Sequence, residues 1–389
     1  MKIDPLKEQL ALILQQSADS AREGVLSRLG ELRPTADSTF ILFGCGELGR
    51  ATLSFLRNAG MSVLAFCDNN PKRWGSRVDG VPVISPTEGA ERCGGSTLLV
   101  MTVFTNAPMR KQLESMGVKA LSFAELAWCY PDSFLPYQSV ELPDKIIQNS
   151  TQVLEGLDLW ADEVSRREYL GQIAWRMSLD PSVQPPHLSA TETYFPDDLF
   201  QLGPDEVFVD CGAFDGDSIR PFLVRTGGSF KQIIAIEPDA SNFKHLENAL
   251  RDLNSDKVKL IQQAVGDHRN KIRFAAMGTV ASSIGEGGSE VDCVILDELL
   301  DGAIPSLIKM DIEGAEPAAL RGGAGAIAKH YPVLIICLYH AQEHLWEIPF
   351  YLRQIAPEYH LFLRRYSDEN WEQVCYAVPK RRSLNPVAK

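Results

Sequence analysis

Phe208-Val-Asp210-Cys-Gly212-Ala-Phe-Asp215-Gly216-Asp-Ser218 decides how this chain is read. An apolar strand runs into Asp-x-Gly, and a residue without a Cβ lets the following backbone approach a ligand. In open α/β sheets the ligand lies beyond the carboxyl ends of the strands, where this turn falls. Carboxylates at Asp210, Asp215 and Asp217 repel a pyrophosphate and favour a ligand carrying an ammonium or sulfonium. Gly212, Gly216 and Ser218, which opens the next helix, complete the candidate binding turn. The plainer reading makes the glycines turn formers and Asp210 a helix cap.

Working outward, apolar runs predict strands at Val207–Asp210, Gln232–Ile236, Val258–Gln262, Ser306–Met310, Val333–Tyr339, His360–Arg364 and Gln373–Val378. Helical spacing falls at Ser218–Arg225, Ser241–Asn254, Glu316–Gly322 and Glu343–Ile355. Alternation of this kind predicts parallel strands with crossover helices. Only Tyr366–Glu372 separates the last two strands, too short a link for a crossover, so they form an antiparallel hairpin.

Each strand end brings a candidate. Glu237 closes the second strand, placed for two ribose hydroxyls. Gln263 and Ala264 follow the third, where a nucleobase edge falls in such a fold. The fourth ends in Asp311, Glu313 and Glu316. These can orient substrate hydroxyls, position a methyl donor, bind a cation or stabilise the next helix, the last assigned mainly to Glu316. The fifth delivers His340, whose imidazole near its usual pKa suits proton removal at neutral pH. His340 and Asp311 are therefore the catalytic candidates. The loop 278–288, rich in Gly and Ser, offers Ser282 or Ser283 to an acceptor, or is a plain loop. His340 and His344 stand four apart, yet they sit at a strand–helix switch without the H-E-x-x-H Glu, so no metal site is expected.

The first part of the chain carries a second signal. Residues 6–32 have helical spacing, and Phe40–Phe43, Ser62–Cys67, Val81–Ile84 and Thr97–Val103 read as strands. Gly44-Cys-Gly46-Glu-Leu-Gly49 fits G-x-G-x-x-G between a strand and a helix, and Asp68 follows Gly49 by nineteen residues. That is a nucleotide-binding fingerprint in context, or else a ligand-free domain kept for packing. A polar helix over Thr151–Ser178 and an extended stretch into Tyr194–Phe200 separate the two blocks, the latter able to cover a neighbouring site.

The 389 residues carry 38 Lys plus Arg against 51 Asp plus Glu, a net charge of −13. Such a surface disfavours nucleic acid. No apolar run nears the roughly 20 residues of a membrane span, and the first residues lack a signal-peptide pattern. The eight cysteines show no C-x-x-C pair. A reduced, cytoplasmic protein is expected.

From Tyr194 onward the chain resembles the FkbM family of S-adenosylmethionine-dependent methyltransferases. The resemblance rests on Tyr194–Phe200, Val207–Ser218, Ile236–Phe243, Ala264–Asp267, Lys309–Glu316 and Tyr339–Pro349. It implies a seven-stranded class I methyltransferase sheet with an antiparallel final hairpin. It also implies S-adenosylmethionine as cofactor, flanked by Asp210, Gly212 and Asp215, with Glu237 at the ribose and Gln263-Ala264 at the adenine. His344 departs from the family pattern, where Asp is frequent. Residues 40–126 look like the Rossmann-type domain of sugar-tailoring enzymes. That second resemblance rests on the glycine turn, on Asp68–Gly75 and on Gly80–Pro86, and implies Gly44, Gly46, Gly49 and Asp68 as a second nucleotide site.

Together these give an α/β protein with two Rossmann-like doubly wound domains. The expected boundaries are an N-terminal arm at 1–39, a nucleotide-binding-like domain at 40–130, a helical connector at 131–193 and a methyltransferase domain at 194–389. The expected function is O-methylation of a hydroxyl of a carbohydrate, nucleotide-sugar or glycosylated metabolite, without nucleic-acid or membrane partners and with homo-oligomerisation open. The alternatives are a nicotinamide-dependent oxidoreductase using the first domain and a non-catalytic nucleotide-binding scaffold.

Overall fold

The computed structural model describes residues 4–274 and 289–384. It divides into two compact units. The N-terminal unit comprises 1–150, 170–186 and 367–371; the C-terminal unit comprises 151–169, 187–366 and 372–389. Among the described residues no helix is long and apolar enough to cross a membrane, and all eight cysteines are free thiols.

The N-terminal unit holds a six-stranded sheet. Its strands are β1 (Thr39–Phe43), β2 (Ser62–Cys67), β3 (Arg77–Val78), β4 (Val81–Ile84), β5 (Thr97–Met101) and β6 (Leu121–Ser122), in the order β3-β4-β2-β1-β5-β6. All pairs are parallel except β3–β4. The helix Glu47–Asn58 follows β1 directly and buries Leu48, Leu53 and Leu56. The helical pattern near the start is two helices, Pro5–Ile13 and Ala18–Leu29, because Asp4 and Ser17 each cap a new helix through their side chains.

Among the described residues, the C-terminal unit holds ten strands: β7 (Val207–Cys211), β8 (Gln232–Ile236), β9 (Val258–Ile261), β10 (Ala264–Gly266), β11 (Asn270–Phe274), β12 (Ser289–Ile295), β13 (Leu307–Met310), β14 (Val333–Cys337), β15 (Tyr359–Arg365) and β16 (Gln373–Pro379). Seven form one sheet in the order β15-β16-β14-β13-β7-β8-β9. Only β16 runs antiparallel to its neighbours, so the chain ends in the expected hairpin. The strands β7, β13 and β14 are buried along their whole length, as a doubly covered sheet requires. Phe208, Phe222 and Phe230 anchor the core on one face, each contributing about 1.5–3 kcal/mol by burial. A small sheet, β10-β12-β11, was not foreseen.

The expected helix over Thr151–Ser178 is broken, with helices at Ser150–Gly156 and Glu163–Ser178. Some of its charges are paired inside the unit. Within the C-terminal unit, Asp162 pairs with Arg364 at 2.7 Å and Glu168 with Arg365 at 2.7 Å.

Candidate functional site

The strands β7, β8 and β13 carry their carboxyl ends to one edge of the large sheet, and a cleft of about 800 Å³ opens there. Gly212, Asp217, Glu237, Gln263, Asp311 and Glu313 are among the residues that line it. Gly212 has φ +80°, and a Cβ built on it would fall 1.9 Å from the Asp311 carbonyl oxygen. Only glycine allows the turn after β7 to lie against the end of β13.

Beneath the turn is a buried ion pair. Lys309 Nζ donates to Asp210 Oδ1 at 3.1 Å and to the Gly212 carbonyl at 2.9 Å. The Ser218 hydroxyl donates to the other oxygen of Asp210. Burial opposes the Lys309 charge, but Asp210, Asp311 and Asp217 outweigh it and hold the ammonium above its ordinary range. A lysine inside the apolar run Leu307–Met310 signals such a partner, because an unpaired charge there is prohibitive. Asp210, Gly216 and Ser218 thus hold the turn rather than line the cleft.

Asp215, expected beside the ligand, is not among the residues that line this cleft. Arg220 draws it outward, with Nη2 at 2.8 Å from Oδ1. The backbone turns at Phe214 and Gly216, both with positive φ, and Asp217 lines the cleft instead. Burial pushes the Asp217 carboxyl upward.

Glu237 sits at the end of β8 as expected. Its Oε2 accepts from Phe214 N–H and its Oε1 from Asp239 N–H, each at 2.9 Å. These bonds fix the carboxylate against the cleft, while burial pushes it up to about 7. Gln263 and Ala264 line the same cleft, together with Asn242, Pro238 and Ile272, which the strand pattern did not single out. Ser283 lies outside the described residues.

On the β13 side, Asp311 accepts the hydroxyls of Tyr194 at 2.9 Å and Tyr339 at 3.0 Å. Burial opposes its charge, yet Lys309, His340 and the two hydroxyls hold it below its ordinary value. Tyr194, at the end of the extended stretch, has φ +69° and lays its ring 5.0 Å from Lys309 Nζ. Tyr194 thus ties the extended stretch to Asp311 and Lys309 at the end of β13.

His340 is almost enclosed, its side chain 2% exposed. Its Nδ1 lies 2.8 Å from Glu316 Oε1, and its Nε2 lies 3.4 Å from Asp311 Oδ1 and 3.7 Å from Glu313 Oε2. Burial disfavours the imidazolium, but Glu316, Glu313 and Asp311 outweigh it and lift the pKa to about 10. An unperturbed imidazole near neutrality, the basis for casting His340 as general base, is thereby corrected. Glu316 stands between the two histidines, with Oε2 at 3.5 Å from His344 Nδ1. Glu372, a half-buried residue whose carboxyl is pushed to about 7 by desolvation and by Asp311, went unnoticed because it sits in a hairpin turn.

The N-terminal unit has its own candidate site. A Cβ on Gly49 would fall 2.0 Å from the Gly44 carbonyl oxygen, so helix and turn touch there, whereas one on Gly46 would meet nothing within 4 Å. Asp68, at the end of β2, accepts from Cys45 Sγ at 2.8 Å and from Arg73 Nη1 at 3.0 Å. The fold brings Gly44, Gly46, Gly49 and Asp68 to one strand edge. Both oxygens of Asp68 already have protein partners, since Asn70 N–H donates to Oδ1 at 2.8 Å.

Residues 210–370 match the family model of the methyltransferase FkbM domain. The crystal structure of methyltransferase FkbM from Methylobacillus flagellatus KT superposes with a TM-score of 0.77 at 22% identity, covering 96% of this chain and 99% of that one. That likeness establishes the fold. The redox-sensing transcriptional repressor Rex of Anoxybacillus flavithermus is 34% identical over 84 residues, 21% of this chain. The chain spans only 40% of the length of that curated relative.

Proposed function

We propose, from the premise that residues 210–370 are an FkbM methyltransferase domain, that the cleft at the carboxyl edge binds S-adenosylmethionine and that the protein methylates a hydroxyl of a carbohydrate or nucleotide-sugar. The observation that carries the reading is the charge of the cleft wall. Asp217, Glu237, Asp311 and Glu313 all line it, an acidic wall suited to a sulfonium and unsuited to a pyrophosphate. The residues fit that group: Gly212, where no Cβ could be accommodated, brings the turn against β13 to form the cleft wall, and the Glu237 carboxylate is held ready for ribose hydroxyls by two backbone donors. When bound, the cofactor supplies an electrophilic methyl group.

The chain's own contribution is positioning. Glu237 would accept the ribose hydroxyls, and Gln263 and Ala264 would border the adenine. Asp311, braced by two tyrosine hydroxyls, and Glu313 would orient the acceptor hydroxyl in line. Holding both partners in a dry cleft accounts for much of such a rate. Equilibrium binding of S-adenosylmethionine to the full chain, followed by transfer of labelled methyl to pooled sugars and nucleotide-sugars, tests the reading. A protein that does not bind the cofactor defeats it, and one that binds it but methylates no acceptor is the scaffold alternative.

A second reading concerns the N-terminal unit, where open space at Gly46 supports a nucleotide at the start of the helix Glu47–Asn58. A nucleotide-sugar acceptor would suit it. A nicotinamide cofactor there would instead favour the oxidoreductase alternative.

A further inference from the structure

The cluster around His340 contains more than the methyl-transfer reading uses. Its Nδ1 is engaged by Glu316 Oε1 at 2.8 Å. That oxygen is itself held by the Ile312 N–H at 2.9 Å, so the ring has a fixed face. The opposite nitrogen, Nε2, is buried and has no hydrogen-bond partner. It points between Asp311 Oδ1 at 3.4 Å and Glu313 Oε2 at 3.7 Å. A buried imidazole nitrogen with no hydrogen bond, aimed between two carboxylates, is a place for a proton or for a metal ion.

We propose that Nε2 of His340, Asp311 and Glu313 form a site for one first-row divalent cation at the wall of the cleft, with Glu316 as the outer carboxylate that orients the imidazole. Three observations support it. Ligands about 2.1 Å from one metal stand about 3–3.5 Å apart, close to the two separations of His340 Nε2 from the carboxylate oxygens, 3.4 Å and 3.7 Å, before any adjustment of the side chains. A carboxylate on the far nitrogen of a metal-binding histidine sets its tautomer and leaves the other lone pair for the ion; Glu316 occupies that place. Glu313, finally, has φ +56°, an uncommon backbone for a side chain of its size, and it carries its carboxylate back toward His340.

The donor set is one nitrogen and two carboxylate oxygens, which suits manganese, iron(II), cobalt or zinc better than calcium. Asp311 and Glu313 line the cleft and are 19% and 20% exposed, so the ion has an entry path and open positions for water or an acceptor oxygen. Four carboxylates on the cleft wall allow a cation and a sulfonium to be accommodated together. An ion here would lower the pKa of a coordinated acceptor hydroxyl, a role that rests on the methyltransferase reading, whereas the ion site itself does not. Spacing along the chain concealed the site because its ligands come from two strand ends, residues 311–313 and residue 340.

The experiment is Mn²⁺ titration of the full chain after chelator dialysis, followed by calorimetry and electron paramagnetic resonance without cofactor or acceptor. The expected result is saturable uptake of one Mn²⁺ per chain. Affinity should fall at least about tenfold in Glu313→Gln and His340→Gln, and about 10–100-fold in Glu316→Gln. Glu313 is partly exposed, so Glu313→Gln keeps the test valid should the buried variants unfold, as circular dichroism would reveal. Absence of saturable uptake, or unchanged affinity in a folded Glu313→Gln, overturns the proposal in favour of a proton on Nε2 as the occupant. Mn²⁺ uptake by a protein that fails to bind S-adenosylmethionine would uphold the ion site and defeat the methyltransferase reading alone.

Discussion

Lys309 and Asp210 are direct register partners on the parallel strands β13 and β7, and their charged ends meet 3.1 Å apart with 1% or less of either side chain exposed. The pair links the base of the glycine turn to the strand that supplies Asp311, so fold stability and site geometry share one interaction. Replacing Lys309 by Met leaves Asp210 buried and uncompensated, and removal of one partner of such a pair costs about 3–5 kcal/mol. Urea unfolding of Lys309→Met should show that loss. The double variant Asp210→Asn/Lys309→Met should recover part of it, because neither charge remains. Equal stability of the single variant and the parent would refute the assignment.

Glu237 predicts a pH dependence of cofactor binding. Burial raises the free carboxyl to about 7, and ribose hydroxyls donate to its ionised form. Above that pH the group is already ionised, and affinity is flat. Below it a proton must be lost on binding, so affinity falls by up to about tenfold per pH unit. Calorimetric titration with S-adenosylmethionine from about pH 5.5 to about pH 8.5 measures this. Glu237→Gln should bind more weakly and lose this component; a parent protein with no acidic decline would contradict the role.

Much of this architecture is legible from residue order. The bounds Ser62–Cys67, Val81–Ile84, Gln232–Ile236 and Glu316–Gly322 coincide with the structure, because each is an uninterrupted apolar or helical run flanked by turn residues. The final hairpin followed from loop length alone. What sequence order hides is pairing between distant segments. Tyr194 and Asp311 are 117 residues apart yet share a hydrogen bond, and His340 and Glu316, 24 apart, share another. The exchange of Asp215 for Asp217 at the cleft was illegible for a different reason. The turn there passes through two positive-φ residues, Phe214 and Gly216, and residue type alone does not report φ at Phe214. The small sheet of β10, β11 and β12 combines parallel and antiparallel pairing over short strands, a pattern with too few residues to show a period.

Gly212→Ala should damage the cleft and the fold together. Its added Cβ would lie 1.9 Å from a backbone oxygen, and the position has φ +80°, so neither a rotamer change nor a small side-chain shift relieves the contact. The expected loss is at least about 2 kcal/mol, with cofactor affinity reduced further in whatever fraction remains folded. Thermal melts with and without S-adenosylmethionine separate the two effects. A variant that melts and binds like the parent would show that the turn does not approach β13 as closely as the structure places it.

Gly46 offers the opposite experiment for the N-terminal unit. Its backbone has φ −78°, which any residue adopts, and an added Cβ meets no atom within 4 Å. Gly46→Ala should therefore leave stability within about 0.5 kcal/mol of the parent. Gly49→Ala, driven against the Gly44 carbonyl at 2.0 Å, should destabilise the unit. If the open space at Gly46 admits a phosphate, the added methyl group obstructs it, and nucleotide affinity should drop at least about tenfold without any change in melting temperature. Fluorescence titration with NADH and with a uridine diphosphate sugar reads this directly and separates the two ligand classes. Equal affinity in Gly46→Ala and the parent would mean that the ligand, if any, does not approach the glycine turn, and the turn would then serve only the packing of the helix Glu47–Asn58 on its sheet.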